Sequence, residues 1–103
     1  MTPRVLPARR ALTWTPDRYL VERMSGGDET AFRELFARYR AVTYATAYGA
    51  LRDPEDVEAV VAHAFKEARR TATTFLASDC SVSGWLTHLT RLCVAARLPR
   101  LSS

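Results

Sequence analysis

The sequence has few of the residues that interrupt helices, link chains covalently or direct export. It contains four glycines and five prolines, and most of the prolines sit at ends or junctions, so its interior is free to form long helices. Its two cysteines, Cys80 and Cys93, do not have CxxC spacing, and a helical domain of this size does not need a disulfide; a reducing cytoplasm fits best. No apolar run approaches the ~18 residues of a membrane span, and residues 1–14 lack the apolar stretch of a signal peptide, so we expect no membrane partner.

Residues suited to catalysis or metal binding are equally scarce. The only two imidazoles are His63 and His88, and neither belongs to an evident set of nucleophile, base and orienting group. A zinc site built from His63, Cys80, His88 and Cys93 is conceivable, but none of these residues is paired as CxxC or HxxxH, so we interpret them as structural or surface residues. Glycine-rich phosphate loops are also missing. We expect a protein that is not an enzyme and needs no cofactor.

What is present is a hydrophobic pattern at helical spacing. It predicts an all-α fold, a compact bundle of about four helices, within a domain at 15–100. Residues 1–14, with two prolines and three arginines, are predicted to form a disordered basic N-terminal arm, and 101–103 a short tail.

Local signals predict where the first three helices begin and end. Thr15-Pro16-Asp17 favours the start of a short helix, and Gly26-Gly27 favours its end. Asp28 is suited to cap a long second helix. Asp53 and Pro54 favour the start of the third helix, whose pattern runs out near Phe75. The residues expected to face inward from the second and third helices are Ala31, Phe32, Leu35, Phe36, Tyr39, Val42, Ala47, Val57, Val60, Val61, Ala64, Phe65, Ala68 and Ala72.

A short loop at 76–80 precedes the fourth helix, for which either Ser81 or Ser83 can act as the N-cap. Pro99 is expected to stop this helix. Its inward residues are predicted to be Val82, Trp85, Leu86, Leu89, Leu92 and Cys93.

Charge is distributed unevenly along the chain, whose net charge is +4. Four acids and no base fall between Asp53 and Glu58, whereas six bases and two acids fall between Lys66 and Arg100. A basic second half favours a polyanion partner such as nucleic acid. The basic face is predicted to consist of Lys66, Arg69, Arg70, Arg91, Arg97 and Arg100.

Three segments carry a family resemblance. The strings GDETAFRELFARYRAVTYATAY, LRDPEDVEAVVAHAF and SVSGWLTHLTRL resemble, in content, spacing and order, region two of the extracytoplasmic-function (ECF) sigma factors of RNA polymerase. The resemblance covers about four fifths of the chain. It implies a sigma-region-two-like bundle whose third helix docks on the clamp helices of core RNA polymerase, while the following loop and last helix read and open the minus-ten element of promoter DNA.

The resemblance also implies site residues. Those expected to contact or support the polymerase are Asp56, Glu58, Val60, Val61, His63 and Phe65. Those expected to contact DNA are Lys66, Arg69, Arg70, Ser81, Ser83, Arg91 and Arg97.

The chain also departs from the family pattern. Ala59, Ala62 and His63 stand where family members usually present an Asp, a Gln and a Glu toward the polymerase, and Leu92 and Ala96 stand where the last helix usually has an Asn and an Asp. These departures raise an alternative hypothesis, a degenerate sigma-like protein that binds an anti-sigma factor or another regulator without normal polymerase binding. A general basic DNA binder is a third possibility.

The resemblance does not extend to the second, helix-turn-helix domain of complete family members. Both a fragment of a longer protein and a short module acting alone or beside a partner remain open.

Overall fold

The computed structural model describes the backbone of residues 15–102 and the side chains of residues 15–98. This part of the chain folds into four helices: α1 (Asp17–Ser25), α2 (Glu29–Tyr48), α3 (Pro54–Leu76) and α4 (Val82–Ser102). It contains no strand, so the predicted all-α bundle is confirmed. The predicted basic arm at 1–14 lies outside the described residues, as does Ser103.

The starts of α2, α3 and α4 follow the capping signals in the sequence, whereas α1 begins at Asp17 with Pro16, and not Thr15, as its N-cap. Asp28 Oδ1 accepts a hydrogen bond from the amide of Ala31 at 3.1 Å, and Asp53 Oδ1 accepts one from the amide of Glu55 at 2.8 Å. Of the two serines proposed to cap α4, Ser81 is the one used, since its Oγ accepts from the amide of Gly84 at 2.9 Å. Each cap satisfies an amide that has no partner within its helix, which explains why the boundaries are readable locally.

The central element of the bundle is α3, which packs against each of the other three helices, while α2 also contacts α1 and α4. Because α3 is surrounded, it buries Val57, Val60, Val61, Ala64, Phe65, Ala68, Ala72 and Phe75. All seven predicted inward residues of this helix are therefore confirmed. A short loop, residues 77–81, connects α3 to the antiparallel α4.

For two residues the prediction of an inward, buried position is wrong. Val42 is 46% exposed and Leu92 is 53% exposed, whereas Thr43 and Val94 are buried. Adjacent helical residues differ by about 100° in direction, so where a stripe is bordered by small or apolar residues the pattern does not identify its edge. Contacts with the neighbouring helices decide which residue is inside.

The predicted stop at Pro99 is also wrong, because α4 continues to Ser102. Proline lacks the amide that would bond to the carbonyl four residues earlier, but its backbone angle φ is compatible with a helix. That carbonyl belongs to Ala95, which is exposed, so water can serve as its partner. The boundary drawn at residue 100 therefore cuts through α4.

Among the described residues, none of the helices is both long enough and apolar enough to cross a membrane.

Candidate nucleic-acid interface

A cavity of about 540 Å³ opens where α3 ends and α4 begins. Phe75, from the last turn of α3, and Trp85, from the first turn of α4, stack with ring centroids 4.2 Å apart and an interplanar angle of 15°. Both rings line the cavity. Its volume falls within the range of pockets that bind small molecules, ~300–1,000 Å³. We call it the tip cavity, since it lies at the loop end of the α3–α4 hairpin.

The two aromatic residues have different surroundings. Phe75 is buried, whereas Trp85, which was predicted to face inward, is only half-buried and contributes its ring to the cavity wall. Polar groups stand around these rings: Thr74 on α3, Ser78 and Ser81 in the loop, and His88 on α4. An apolar, aromatic floor with a polar rim is chemically suited to a planar ring that carries hydrogen-bonding edges.

The loop beside the cavity is held by a residue that the sequence did not point to. Arg18, on α1, donates hydrogen bonds to the carbonyls of Leu76, Ser78 and Cys80 at 2.6, 2.7 and 3.3 Å. Its guanidinium carbon also lies 4.8 Å from the centroid of the Phe75 ring. These partners are about 60 residues away in the chain, so no local pattern could have revealed the contact.

The basic residues predicted to contact DNA differ in how free they are. Lys66 and Arg91 are exposed on α3 and α4, and Ser83 is exposed next to the α4 cap. Arg70 is also exposed but lies 2.7 Å from the carboxylate of Glu67, one turn before it. This guanidinium, as the largest cause, lowers the pKa of Glu67 below its ordinary value. Exposed pairs of this kind contribute little to stability and can open to an anion.

Arg69 points toward α2 and is more firmly engaged. It forms a two-pronged ion pair with the carboxylate of Glu29, and its guanidinium carbon lies 4.4 Å from the ring centroid of Phe32. The hydrogen bond from Arg69 is the main reason that the pKa of Glu29 is lowered. A phosphate would have to displace Glu29 before it could bind this arginine.

Arg97 lies at the far end of the hairpin. It pairs with Asp56 at the start of α3, with Nε and Nη2 at 2.9 and 2.8 Å from Asp56 Oδ1. Since an α-helix rises about 1.5 Å per residue, Asp56 lies ~29 Å along α3 from Phe75, and Arg97 lies ~18 Å along α4 from Trp85. The structure therefore separates Arg97 from Ser81 and Ser83, the predicted DNA contacts at the start of α4.

The set predicted for polymerase contact divides into core and surface residues. Val60, Val61 and Phe65 are buried, and Phe65 packs edge-on against Phe32 and Phe36. These three residues pack α3 against the core of the bundle, so a partner could contact only their exposed neighbours on that helix.

The polar members of the same set are partly engaged within the chain. Asp56 is paired with Arg97, and Glu58 Oε1 accepts a hydrogen bond from the hydroxyl of Tyr44 at 2.8 Å. His63 is exposed, with Nε2 3.9 Å from Glu67.

Four of the positions that depart from the family pattern come together along the seam between α3 and α4. Two small cavities follow this seam, of about 80 and 140 Å³. They are lined in part by Ala59, His63, Leu92 and Ala96. The sequence placed these residues on two separate helices, and only the packing of α3 on α4 makes them one surface, which we call the seam surface.

The cysteines and histidines considered for zinc are not gathered into a site. Cys80 is a free, exposed thiol in the loop, and Cys93 is a free, buried thiol in α4. Burial raises the pKa of Cys93, and the negative charge of Glu67 adds to this effect. Among the described residues, no group of three or more His, Cys, Asp and Glu side chains is arranged to hold a metal ion.

Comparisons with protein-family models, curated proteins and solved structures find no match to this chain.

Proposed function

We propose that this chain is a sigma-factor-like transcription-initiation module of the cytoplasm, which binds core RNA polymerase through α3 and the minus-ten promoter element through the tip cavity. No catalytic chemistry and no cofactor are needed for this role. The free energy of binding is sufficient to open the DNA when the protein binds an unpaired base more favourably than the duplex holds it paired.

The observation that carries the DNA half of the proposal is the tip cavity with its stacked pair, Phe75 and Trp85. Stacking of a base on an aromatic side chain is worth ~1–3 kcal/mol, comparable to the cost of taking that base out of the duplex. Exposed cations on the same two helices, Lys66, Arg70 and Arg91, supply attraction for the phosphates on either side of it.

Base capture can be separated from phosphate attraction with two probes. One is a short single-stranded oligothymidylate, and the other is an abasic oligomer of the same length, which has the same phosphates but no bases. We expect the chain to bind the oligothymidylate at least tenfold more tightly, a difference of about 1.4 kcal/mol. We expect Trp85→Leu to abolish most of that preference, while Tyr48→Leu, which removes an exposed aromatic ring from α2, leaves it unchanged.

Equal affinity for the two probes would contradict base capture. Combined with a steep loss of affinity on adding salt, it would indicate a general basic DNA binder instead.

The polymerase half of the proposal has its own test. The purified chain is expected to co-elute with core RNA polymerase in size-exclusion chromatography at micromolar concentrations. Absence of any complex under these conditions would exclude polymerase binding of useful strength, whatever the DNA result.

A specific observation favours a second candidate, an interaction protein that binds an anti-sigma factor or similar regulator. The acids near the start of α3 are engaged inside the chain, Asp56 by Arg97 and Glu58 by Tyr44. The exposed Ala62 and the half-buried Ala59 offer no polar group in their place. Lost charge-assisted hydrogen bonds at an interface centre commonly cost ~2 kcal/mol or more each.

The combined variant Ala59→Asp, Ala62→Gln and His63→Glu distinguishes the two candidates. If the second is correct, the variant binds core RNA polymerase and the natural chain does not. If the natural chain binds as tightly as the variant, the second candidate fails. Unfolding curves for both chains confirm that the substituted α3 still folds.

A further inference from the structure

The loop that walls the tip cavity is anchored from outside the hairpin. The carbonyls of Ser78 and Cys80 lie in the loop at residues 77–81, outside both helices, and the carbonyl of Leu76 belongs to the last turn of α3. Arg18 donates to Leu76 and Ser78 at 2.6 and 2.7 Å, and to Cys80 at 3.3 Å. One side chain of α1 thus bonds to three carbonyls spread over five residues of the α3–α4 connection.

The geometry of these contacts suits arginine better than lysine. The guanidinium of Arg18 uses two separate nitrogens, Nη2 for Leu76 and Ser78 and Nη1 for Cys80, whereas all three donors of a lysine ammonium are on one nitrogen. The positive charge also interacts favourably with the carbonyl end of α3. In addition, the guanidinium lies over the ring of Phe75, 4.8 Å from its centroid, which couples the loop to the cavity floor.

The position of the loop determines the shape of the cavity. Ser78, Cys80 and Ser81 form one side of it, while Phe75 and Trp85 form the floor. Two of the carbonyls bonded by Arg18 belong to Ser78 and Cys80 themselves. If the loop moved away from the hairpin tip, the stacked rings would remain, but the polar side of the cavity would no longer stand at a defined distance from them.

We propose that Arg18 is a positioning residue for base capture: it holds the 77–81 loop against the hairpin tip so that the tip cavity can discriminate a base from solvent. The inference rests on the proposed function of that cavity. Arg18 itself contacts neither base nor phosphate in this scheme. If Arg18 had a purely structural role, its substitution would lower only the stability of the fold. If it is a positioning residue, a substitution that keeps the charge also lowers the preference for oligothymidylate over the abasic oligomer.

The decisive variant is Arg18→Lys, which keeps the charge but loses the planar donor set. Its affinity for the abasic oligomer is expected to equal that of the natural chain, while its preference for oligothymidylate over the abasic oligomer falls about tenfold. Arg18→Ala is expected to lose the same preference and, with one charge less, some affinity for both probes. Arg33→Ala, which removes an exposed arginine from α2, is the matched control. It is expected to lower the affinity for both probes equally.

Hydrogen–deuterium exchange provides a readout that does not depend on DNA. In Arg18→Lys, exchange in the peptide covering 77–84 is expected to accelerate, while peptides of α2 keep their natural rates. Circular dichroism and the urea midpoint show whether each variant is folded, and Arg18→Lys remains informative if Arg18→Ala is too unstable to study.

Each result has a distinct meaning. If the natural chain prefers oligothymidylate and Arg18→Lys retains that preference, the positioning role is overturned while base capture stands. Unchanged exchange in the loop of Arg18→Lys also overturns it, since the loop is then held by other contacts. If the natural chain itself shows no preference, the proposed function of the tip cavity fails, and the role of Arg18 fails with it.

Discussion

The carboxylate of Asp56 and the guanidinium of Arg97 form an ion pair that joins the first turn of α3 to the C-terminal half of α4, with Nη2 2.8 Å from Oδ1. Only 15% of the Asp56 side chain and 31% of the Arg97 side chain are exposed. The sequence suggested that these residues meet two different partners, polymerase and DNA. In the folded chain they bind each other.

This pairing predicts a measurable coupling. We expect Asp56→Ala and Arg97→Ala each to lower the free energy of unfolding by about 1–2 kcal/mol, because a partly buried, charge-assisted hydrogen bond is lost. The double variant should lose less than the sum, and the difference, measured by urea unfolding, is the coupling energy. Glu55→Ala combined with Arg97→Ala is the control and should be additive. Additivity for Asp56 and Arg97 would mean that the pair contributes nothing.

Because Glu29 is paired with Arg69, we expect substitution of Glu29 to increase the affinity of the chain for DNA. Glu29→Gln removes the carboxylate that occupies Arg69, so the arginine becomes available to a phosphate. We expect affinity for oligothymidylate to rise and the salt dependence to steepen by about the equivalent of one phosphate contact. Glu22→Gln, an exposed change of the same charge on α1, controls for net charge alone. Equal effects of the two changes would show that Arg69 does not contact the strand.

Two glycines are predicted to respond to alanine in opposite directions. Gly27 has φ of +96°, a conformation that is strained for any residue with a Cβ atom, so Gly27→Ala should lower the free energy of unfolding by about 1–2 kcal/mol. Gly49 has a right-handed helical conformation, with φ −64° and ψ −22°. Gly49→Ala should therefore stabilise the chain by up to about 1 kcal/mol. Thermal unfolding of the two variants tests both signs: an unchanged or higher midpoint in Gly27→Ala would contradict the strain at Gly27, and a lower midpoint in Gly49→Ala would contradict the gain expected there.

Tyr39 predicts a loss of stability at alkaline pH. Burial, together with the hydrogen bond from its hydroxyl to Asp17, raises the pKa of Tyr39 from 10.0 to about 12. The folded state therefore favours the protonated phenol. Its contribution is complete below pH 10 and is lost as the pH rises from 10 to about 12.

Urea unfolding across this range is the measurement for Tyr39. In Tyr39→Phe the decline should be shallower than in the natural chain, whereas Tyr48→Phe, which changes an exposed tyrosine, should not alter it. An identical pH dependence in Tyr39→Phe and the natural chain would contradict the prediction. The comparison also isolates Tyr39 from Tyr44, whose pKa is raised chiefly by its hydrogen bond to Glu58.

The two thiols are expected to react at very different rates. Cys80 is exposed, whereas Cys93 is buried and its pKa is raised mainly by that burial. Because the thiolate is the reactive form, a colorimetric disulfide reagent should modify one thiol quickly in the folded chain and the second only as the chain unfolds. Cys80→Ser should remove the fast phase. A fast phase that survives this substitution would show that the α3–α4 packing around Cys93 opens readily.

The boundaries of the helices were largely determined by interactions between residues less than one helical turn apart in the sequence. The caps Asp28 and Asp53 bond to amides two or three residues away, and Gly27 supplies a backbone conformation that other residues disfavour. The buried stripe of α3 was fully predictable, because a helix surrounded on several sides needs a broad, unambiguous apolar face. For these features the local sequence was sufficient.

The candidate site was decided by contacts that span the chain. Arg18 and Ser78 are 60 residues apart, Asp56 and Arg97 are 41 apart, and Arg69 and Glu29 are 40 apart. Composition showed that the second half of the chain is basic, but not which arginines were already paired with acids from other helices. Only the tertiary structure determines which charges stay available to a partner, because an ion pair depends on which helix faces are packed together, and no local signal reports that.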